Sequence, residues 1–325
     1  MIKVLFAGSP DAARITLEGL TAAQKDCDFE IAGVLSNPPS AKGRHKELIA
    51  TPVAAFAQSC GIPVFTPEHL DSAARDLIRH LKADLLVCFA YGHILGPKFF
   101  SLFKYGGINL HPSLLPKYRG ATPVNQAILN LDKETGFSVQ KMALGIDEGD
   151  VISEEKVTLT GTETAESLLK TCALYGGSEI TTILRYTAKN GQLPQARPQE
   201  GLASYCSIIR KEDGRINWRD SAEKIDAQIR AYTPWPGCFT SAGGVQLRIL
   251  KARDAEKIAI QDPSVPKNTM AVPGTVLDYN KQRGILIQTG HGVLIATELQ
   301  WQAKKVMDYK SFMNGARNFI GTVLE

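Results

Sequence analysis

Apolar residues come along this chain in short solid runs separated by amphipathic stretches. "IKVLFAG" (2–8), "FEIAGVLS" (29–36), "IPVFTP" (62–67), "ADLLVCFA" (83–90) and "GGINLHP" (106–112) have the texture of buried strands. Between them, "AARITLEGL", "TPVAAFAQSCG", "DSAARDLIRHLK" and "TPVNQAILN" carry apolar positions at helical spacing. Ser9 reads as a helix cap with Pro10 in the first turn, Asp71 caps another helix, and Gly61 ends one. "GFSVQKMAL" (136–144) and "DVISEEKVTL" (150–159) read as two more strands. Residues 164–190 read as a long helix, with Gly176-Gly177 a candidate break. Strand–helix units repeated in this way predict an α/β layer, a Rossmann-like, mostly parallel sheet wrapped by helices with right-handed crossovers.

The texture changes after about residue 188. "NGQLPQARPQEGLASY" is rich in Gly, Pro and Gln and reads as a linker. One helix, "SAEKIDAQIRAY", follows, and then short strands with Gly and Pro turns: "CFTSAGGVQLRILKARD", "PGTVLDYN" and "RGILIQTGHGVLIATELQ". The chain ends in a short helix, "DYKSFMNGARNF". Several short strands with tight turns predict a small closed β-barrel of oligonucleotide-binding (OB-fold-like) type. The expected organisation is a first domain over 1–188, a linker over 189–206 and a barrel domain over 207–325.

Length agrees with two domains, since 325 residues is long for one core. The composition, 44% hydrophobic and 22% charged, is that of a globular protein. No apolar run approaches the roughly 20 residues of a membrane helix. The first apolar run is too short for a signal peptide, so a cytoplasmic location without membrane association is expected, with a monomer as the default. The six cysteines form no CxxC pair and the six histidines no HxH or HxxxH, which speaks against a disulfide framework and against a metal site. Charge is uneven. Residues 1–206 hold 20 Lys and Arg against 21 Asp and Glu, whereas residues 207–325 hold 17 against 12, a net of +5. A basic C-terminal part points to a polyanionic partner, with ordinary solvated surface as the alternative.

The chemistry concentrates at strand ends, where open α/β sheets bind ligands. There is no GxGxxG and no Walker A sequence, which argues against a dinucleotide-dependent oxidoreductase and an ATP site. In "INLHPS", Pro112 pushes His111 towards an extended backbone, and an extended Asn-x-His puts Asn109 and His111 on one side of a strand. In "LGIDEGDV", Asp147 lies in a turn between Gly145 and Gly149. Asn, His and Asp together suit attack of a nucleophile on a carbonyl. Asn109 would donate to the oxyanion and His111 would polarise or shuttle protons. Asp147 would hold the His or take the nucleophile's proton through a water. Spacing alone also allows Asn109 a structural role and Asp147 that of a turn residue.

"INLHPSLLPKYRGATPVNQAI" followed by "MALGIDEGDVI" resembles the folate-dependent formyltransferase family. The resemblance implies formyl transfer from 10-formyltetrahydrofolate as co-substrate, without a metal, and makes Asn109, His111 and Asp147 catalytic. "VCFAYGHIL" resembles the segment whose backbone holds the pterin, which assigns Phe89, Ala90, Tyr91, Gly92, His93, Ile94 and Leu95 to folate. Ser113, Leu114, Leu115 and Pro116 of the following loop are assigned with them. "AKGRHKELIATPV" is similar to a loop that reaches towards a tRNA acceptor end, with Lys42, Arg44 and Lys46 as its basic residues. "SYCSIIRKEDGRINW", "IRAYTPWPGCF" and "AKKVMDYKSFMNGARNF" resemble a C-terminal domain that helps hold tRNA. The likeness thus narrows to members that formylate initiator methionyl-tRNA, with Arg248, Lys251, Lys304 and Lys305 as candidate phosphate contacts. Members that act on glycinamide ribonucleotide or an amino-sugar nucleotide are the alternative. An RNA-binding module with an inactive fold is a more distant one, against which the intact Asn–His–Asp set speaks. Pro112 stands where some members have Gly, Glu47 replaces an expected base, and Cys88 and His93 are atypical.

Overall fold

The computed structural model describes residues 1–42, 47–256, 269–316 and 318–325. They form two compact units. The first comprises Met1–Pro123, Glu134–Thr158 and Leu168–Ser207, the second Val124–Lys133, Leu159–Ser167 and Ile208–Glu325. In chain order the elements begin β1 (Ile2–Gly8), α1 (Asp11–Ala23), β2 (Phe29–Leu35), β3 (Ser40–Lys42), β4 (Glu47–Ile49), α2 (Pro52–Ser59), β5 (Val64–Phe65) and α3 (Ser72–Arg79). They continue with β6 (Leu85–Phe89), α4 (Pro97–Phe100), β7 (Gly107–His111), β8 (Arg119–Gly120), α5 (Pro123–Leu129), β9 (Glu134–Lys141), β10 (Val151–Thr158), α6 (Ala165–Asn190) and β11 (Tyr205–Cys206). The last part holds α7 (Ala222–Tyr232), β12 (Cys238–Ala242), β13 (Val245–Asp254), β14 (Val276–Asn280), β15 (Gly284–Gln288), β16 (Val293–Trp301), β17 (Met307–Asp308) and α8 (Tyr309–Gly315).

The first unit is built on a seven-stranded sheet in the order β10-β9-β7-β6-β1-β2-β5. β7 to β5 run parallel, and β9 and β10 add an antiparallel edge. All five residues of β6 are buried, as a strand covered on both faces requires. The chain moves outward from β1 to β2 and β5, then returns to β6 on the other side of β1. The strand order therefore reverses between β1 and β6, and a crevice opens at their carboxyl ends. β7, with its catalytic candidates, ends beside them.

Two local expectations need correction. Ser9 does not cap α1: its hydroxyl accepts from Asn37 N at 3.1 Å and lies 3.3 Å from Ser36 Oγ, so it ties the ends of β1 and β2 together instead. The long helix does not break at Gly176-Gly177. α6 runs through it, and the glycine has another role: a Cβ at Gly176 would come within 2.5 Å of Leu110 Cδ1. The glycine permits close packing of α6 on β7. Asp71 caps α3 as its sequence predicts, accepting from Ala74 N at 3.0 Å.

The second unit holds an antiparallel sheet in the order β12-β13-β16-β15-β14, with β17 on β16. The C-terminal tail joins its two edges. Ser241 of β12 and Glu325 exchange backbone bonds at 2.8 and 2.9 Å, while Thr322 O and Leu324 N bond Val276 N and Gly274 O at 2.9 Å each. The ladder thus returns on itself like a small barrel. Four cysteines, Cys88, Cys172, Cys206 and Cys238, are buried. No helix among the described residues is long and apolar enough to cross a membrane.

Candidate active site

β7 carries Asn109 and His111 on one side, as period-two alternation demands, and Leu110 on the other against Gly176. Asn109 registers beside Cys88 of β6 and Gln140 of β9. The turn between β9 and β10 swings Asp147 over the same point. Its backbone is left-handed, with φ +55°, a conformation that costs a non-glycine residue about 1–2 kcal/mol. Ala90 (φ +50°) and Tyr118 (φ +58°) share this strain, so three non-glycine residues in it lie on the loops around β6 and β7.

Asp147 Oδ1 faces three side chains. Gln140 Nε2 donates to it at 2.8 Å, Asn109 Nδ2 lies at 3.4 Å, and His111 Nδ1 is 3.5 Å away. Oδ2 accepts from the backbone N–H of Gly120 at 2.8 Å. The other ring nitrogen, His111 Nε2, is 2.9 Å from the carbonyl of Tyr118. A carbonyl only accepts, so Nε2 carries the proton and the lone pair of the neutral ring is on Nδ1, towards the carboxylate.

His111 is buried, 4% exposed. Burial pushes its pKa below the ordinary 6.5, although Asp147 and the Tyr118 carbonyl each pull the other way. Desolvation outweighs the opposite charge of Asp147. Burial also pushes the thiol of Cys88 and the phenol of Tyr91 up to about 12, so both are neutral at working pH.

The folate candidates divide. Phe89 ends β6 and is buried, Ala90 and Gly92 (φ +84°) turn the chain, His93 and Ile94 are exposed, and Leu95 is buried. Tyr91 is 2% exposed and its hydroxyl has no hydrogen-bond partner among the described residues. Ser113 is spent on its own turn: its hydroxyl donates to Lys117 O at 2.5 Å and its carbonyl accepts from Ser138 Oγ at 2.8 Å. Leu115 and Pro116 are buried, and Leu114 is half-buried.

Of the tRNA candidates, Arg44, Lys46 and the side chain of Lys42 lie outside the described residues. Arg248, on β13, donates to Pro236 O at 3.1 Å, and Lys251 pairs with Glu298 at 2.5 Å. Lys304 and Lys305 are exposed between β16 and β17. The spacing argument missed Gln140, Arg119 and Gln199, all in the Asp147 network. The β7–β9 register that sets Gln140 beside Asn109 is a signal, but only once the strands are paired.

Residues 2–181 match the family described as Formyl transferase, and residues 208–317 match Formyl transferase, C-terminal domain. The chain belongs to the formyl transferase family. Within it, the chain is 41% identical to "Methionyl-tRNA formyltransferase" of Treponema denticola over 98% of both proteins. It is 37% identical to the protein of that name from Dictyoglomus turgidum, over 100% of this chain and 99% of the other. Among solved structures it is similar to WlaRD, described as a sugar 3N-formyl transferase in the presence of dTDP and 5-N-formyl-THF. That match has a TM-score of 0.61 and 21% identity over 94% of this chain and 99% of the other. It is also similar to methionyl-tRNA formyltransferase from Clostridium thermocellum, with a TM-score of 0.56 and 18% identity over 78% and 93%. These two likenesses speak for the fold.

Proposed function

We propose that this enzyme transfers the formyl group of 10-formyltetrahydrofolate to the α-amine of initiator methionyl-tRNA. The observation that carries this reading is the convergence of Asn109 and His111 on Asp147 at the carboxyl end of β7. Residues 1–188 would do the chemistry and residues 207–325 would hold the tRNA, with 189–206 between them, in a cytoplasmic monomer.

The neutral α-amine attacks the formyl carbon, and a C–N bond forms. Asn109 donates an N–H to the developing oxyanion. Nε2–H of His111 is already given to the Tyr118 carbonyl and Nδ1 of the neutral ring has no proton to donate, which favours proton transfer over oxyanion binding for this residue. The amine's proton passes to the His111–Asp147 pair, with the Nδ1 lone pair as its resting place, and leaves on N10 as the C–N10 bond breaks. Every proton and electron pair is accounted for without a metal or an acyl-enzyme.

For the pterin, the turn Phe89–Leu95 offers backbone groups and the unpartnered Tyr91 hydroxyl, which a polar heterocycle would satisfy. The reading is tested by transfer assays on Asn109→Ala and His111→Ala. Loss of a factor on the order of 10²–10³ in kcat for Asn109→Ala, with KM for methionyl-tRNA retained, is expected. A strong fall is expected for His111→Ala, and wild-type turnover in either variant would contradict the role given to it.

A further inference from the structure

We propose that Gln199, held from behind by Arg119, is a positioning residue that sets the Asp147 carboxylate against His111 and Asn109. This rests on the catalytic reading above and extends it to a stretch, residues 182–207, that neither family match covers. Its sequence reads as a linker, yet within the first unit it reaches the turn that carries Asp147.

Gln199 Nε2 donates to the carbonyls of Asp147 and Gly149, at 2.8 Å each. These two bonds hold the turn at the left-handed Asp147 itself and two residues beyond it. Gln199 Oε1 accepts from Arg119 twice, from Nε at 3.1 Å and Nη2 at 2.7 Å. The orientation of this amide is forced. A guanidinium only donates, so the atom facing it is the oxygen, and carbonyls only accept, so the atom facing them is the nitrogen. A second branch reaches the carboxylate itself: Gln199 Nε2 lies 3.5 Å from Gln140 Oε1, and Gln140 Nε2 donates to Asp147 Oδ1 at 2.8 Å.

Donors therefore point one way from Arg119 through Gln199 to the turn, while Gln140, with its Oε1 beside the Gln199 amide, donates separately to Asp147. Arg119 is fixed in its turn by Tyr205 Oη at 2.9 Å and Glu148 at 3.4 Å. On its other flank the turn packs close to β9: a Cβ at Gly149 would lie 1.6 Å from Lys141 O, so no side chain fits there. The charge that faces His111 is that of Asp147. The thiols of Cys88 on β6 and Cys206 on β11 also feel that carboxylate, and burial keeps both neutral; Arg119 and Glu148 are an ion pair beside the same turn.

The test compares Gln199→Met, Arg119→Met, Arg119→Lys and the Gln199→Met/Arg119→Met pair in formyl transfer to methionyl-tRNA across pH, with thermal unfolding as a control. Gln199→Met should lower kcat by about 10²-fold, the scale of a small misplacement of a catalytic group, with both KM values little changed. Its acid limb should move to lower pH, because a displaced Asp147 no longer supports the protonated ring. Arg119→Lys, which still offers a donor to Oε1, should retain more activity than Arg119→Met. The double variant should be no worse than Gln199→Met, since the two residues act as one chain.

Wild-type kcat in Gln199→Met, or a reduced kcat with an unmoved acid limb, would overturn the proposal. Asn109→Ala run alongside separates the two readings. If it too is fully active, the catalytic reading fails. If it is inactive while Gln199→Met is unimpaired, only the positioning role does.

Discussion

His111 gives Nε2–H to the Tyr118 carbonyl and turns Nδ1 towards Asp147, and burial around it sets its pH behaviour. Burial holds its folded pKa below the 6.5 of an exposed histidine. Neutral His111 is the form that can receive a proton, so activity should be level through neutrality. It should fall as pH drops through the lowered folded value. The same shift is a stability statement. Between the folded value and 6.5 the unfolded chain binds more protons, so this contribution is complete above about pH 6.5 and is lost on acidification. Urea titrations of wild type and His111→Gln should show the wild type losing more stability on going from pH 7 to pH 5. Parallel losses would mean that the buried ring is not the source.

At the scale of elements, the packing of α6 on β7 links stability to the site. Gly176→Ala would gain about 1 kcal/mol of helix propensity but places a methyl 2.5 and 2.6 Å from the two methyls of Leu110, itself 1% exposed. Overpacking typically costs about 1–3 kcal/mol, so the net effect should be a lower urea midpoint with an unchanged m-value. A raised midpoint would mean that Leu110 can swing aside.

The same contact marks where the sequence is opaque. β1 and β6 are legible because they are buried on both faces and read as solid apolar runs. Asn109 and His111 are legible because alternation and Pro112 orient them, and Asp147 because glycines flank it. Gly176, Gln140 and Gln199 are not. Their roles depend on which elements meet, and on pairings across dozens of residues that no local period records. Ser9 misleads for the same reason: its hydroxyl had a better partner in the neighbouring strand than in its own helix.

For the molecule as a whole, the uneven charge becomes a prediction about affinity. If the C-terminal unit holds tRNA through phosphates, binding should weaken steeply with salt. Lys304→Ala/Lys305→Ala should raise the KM for methionyl-tRNA and make the log–log salt slope shallower by about 1–2, with kcat unchanged at saturation. An unaltered slope would remove these two lysines from the interface. Arg248 and Lys251 are held by Pro236 O and Glu298 and should contribute less. The most direct measurement of the central claim is formyl transfer from 10-formyltetrahydrofolate by the intact protein, with methionyl-tRNA and glycinamide ribonucleotide offered in parallel. Formyl-methionyl-tRNA without formylated ribonucleotide is the predicted result. Formylation of the ribonucleotide alone would keep the chemistry and contradict the acceptor, and formylation of neither would contradict both.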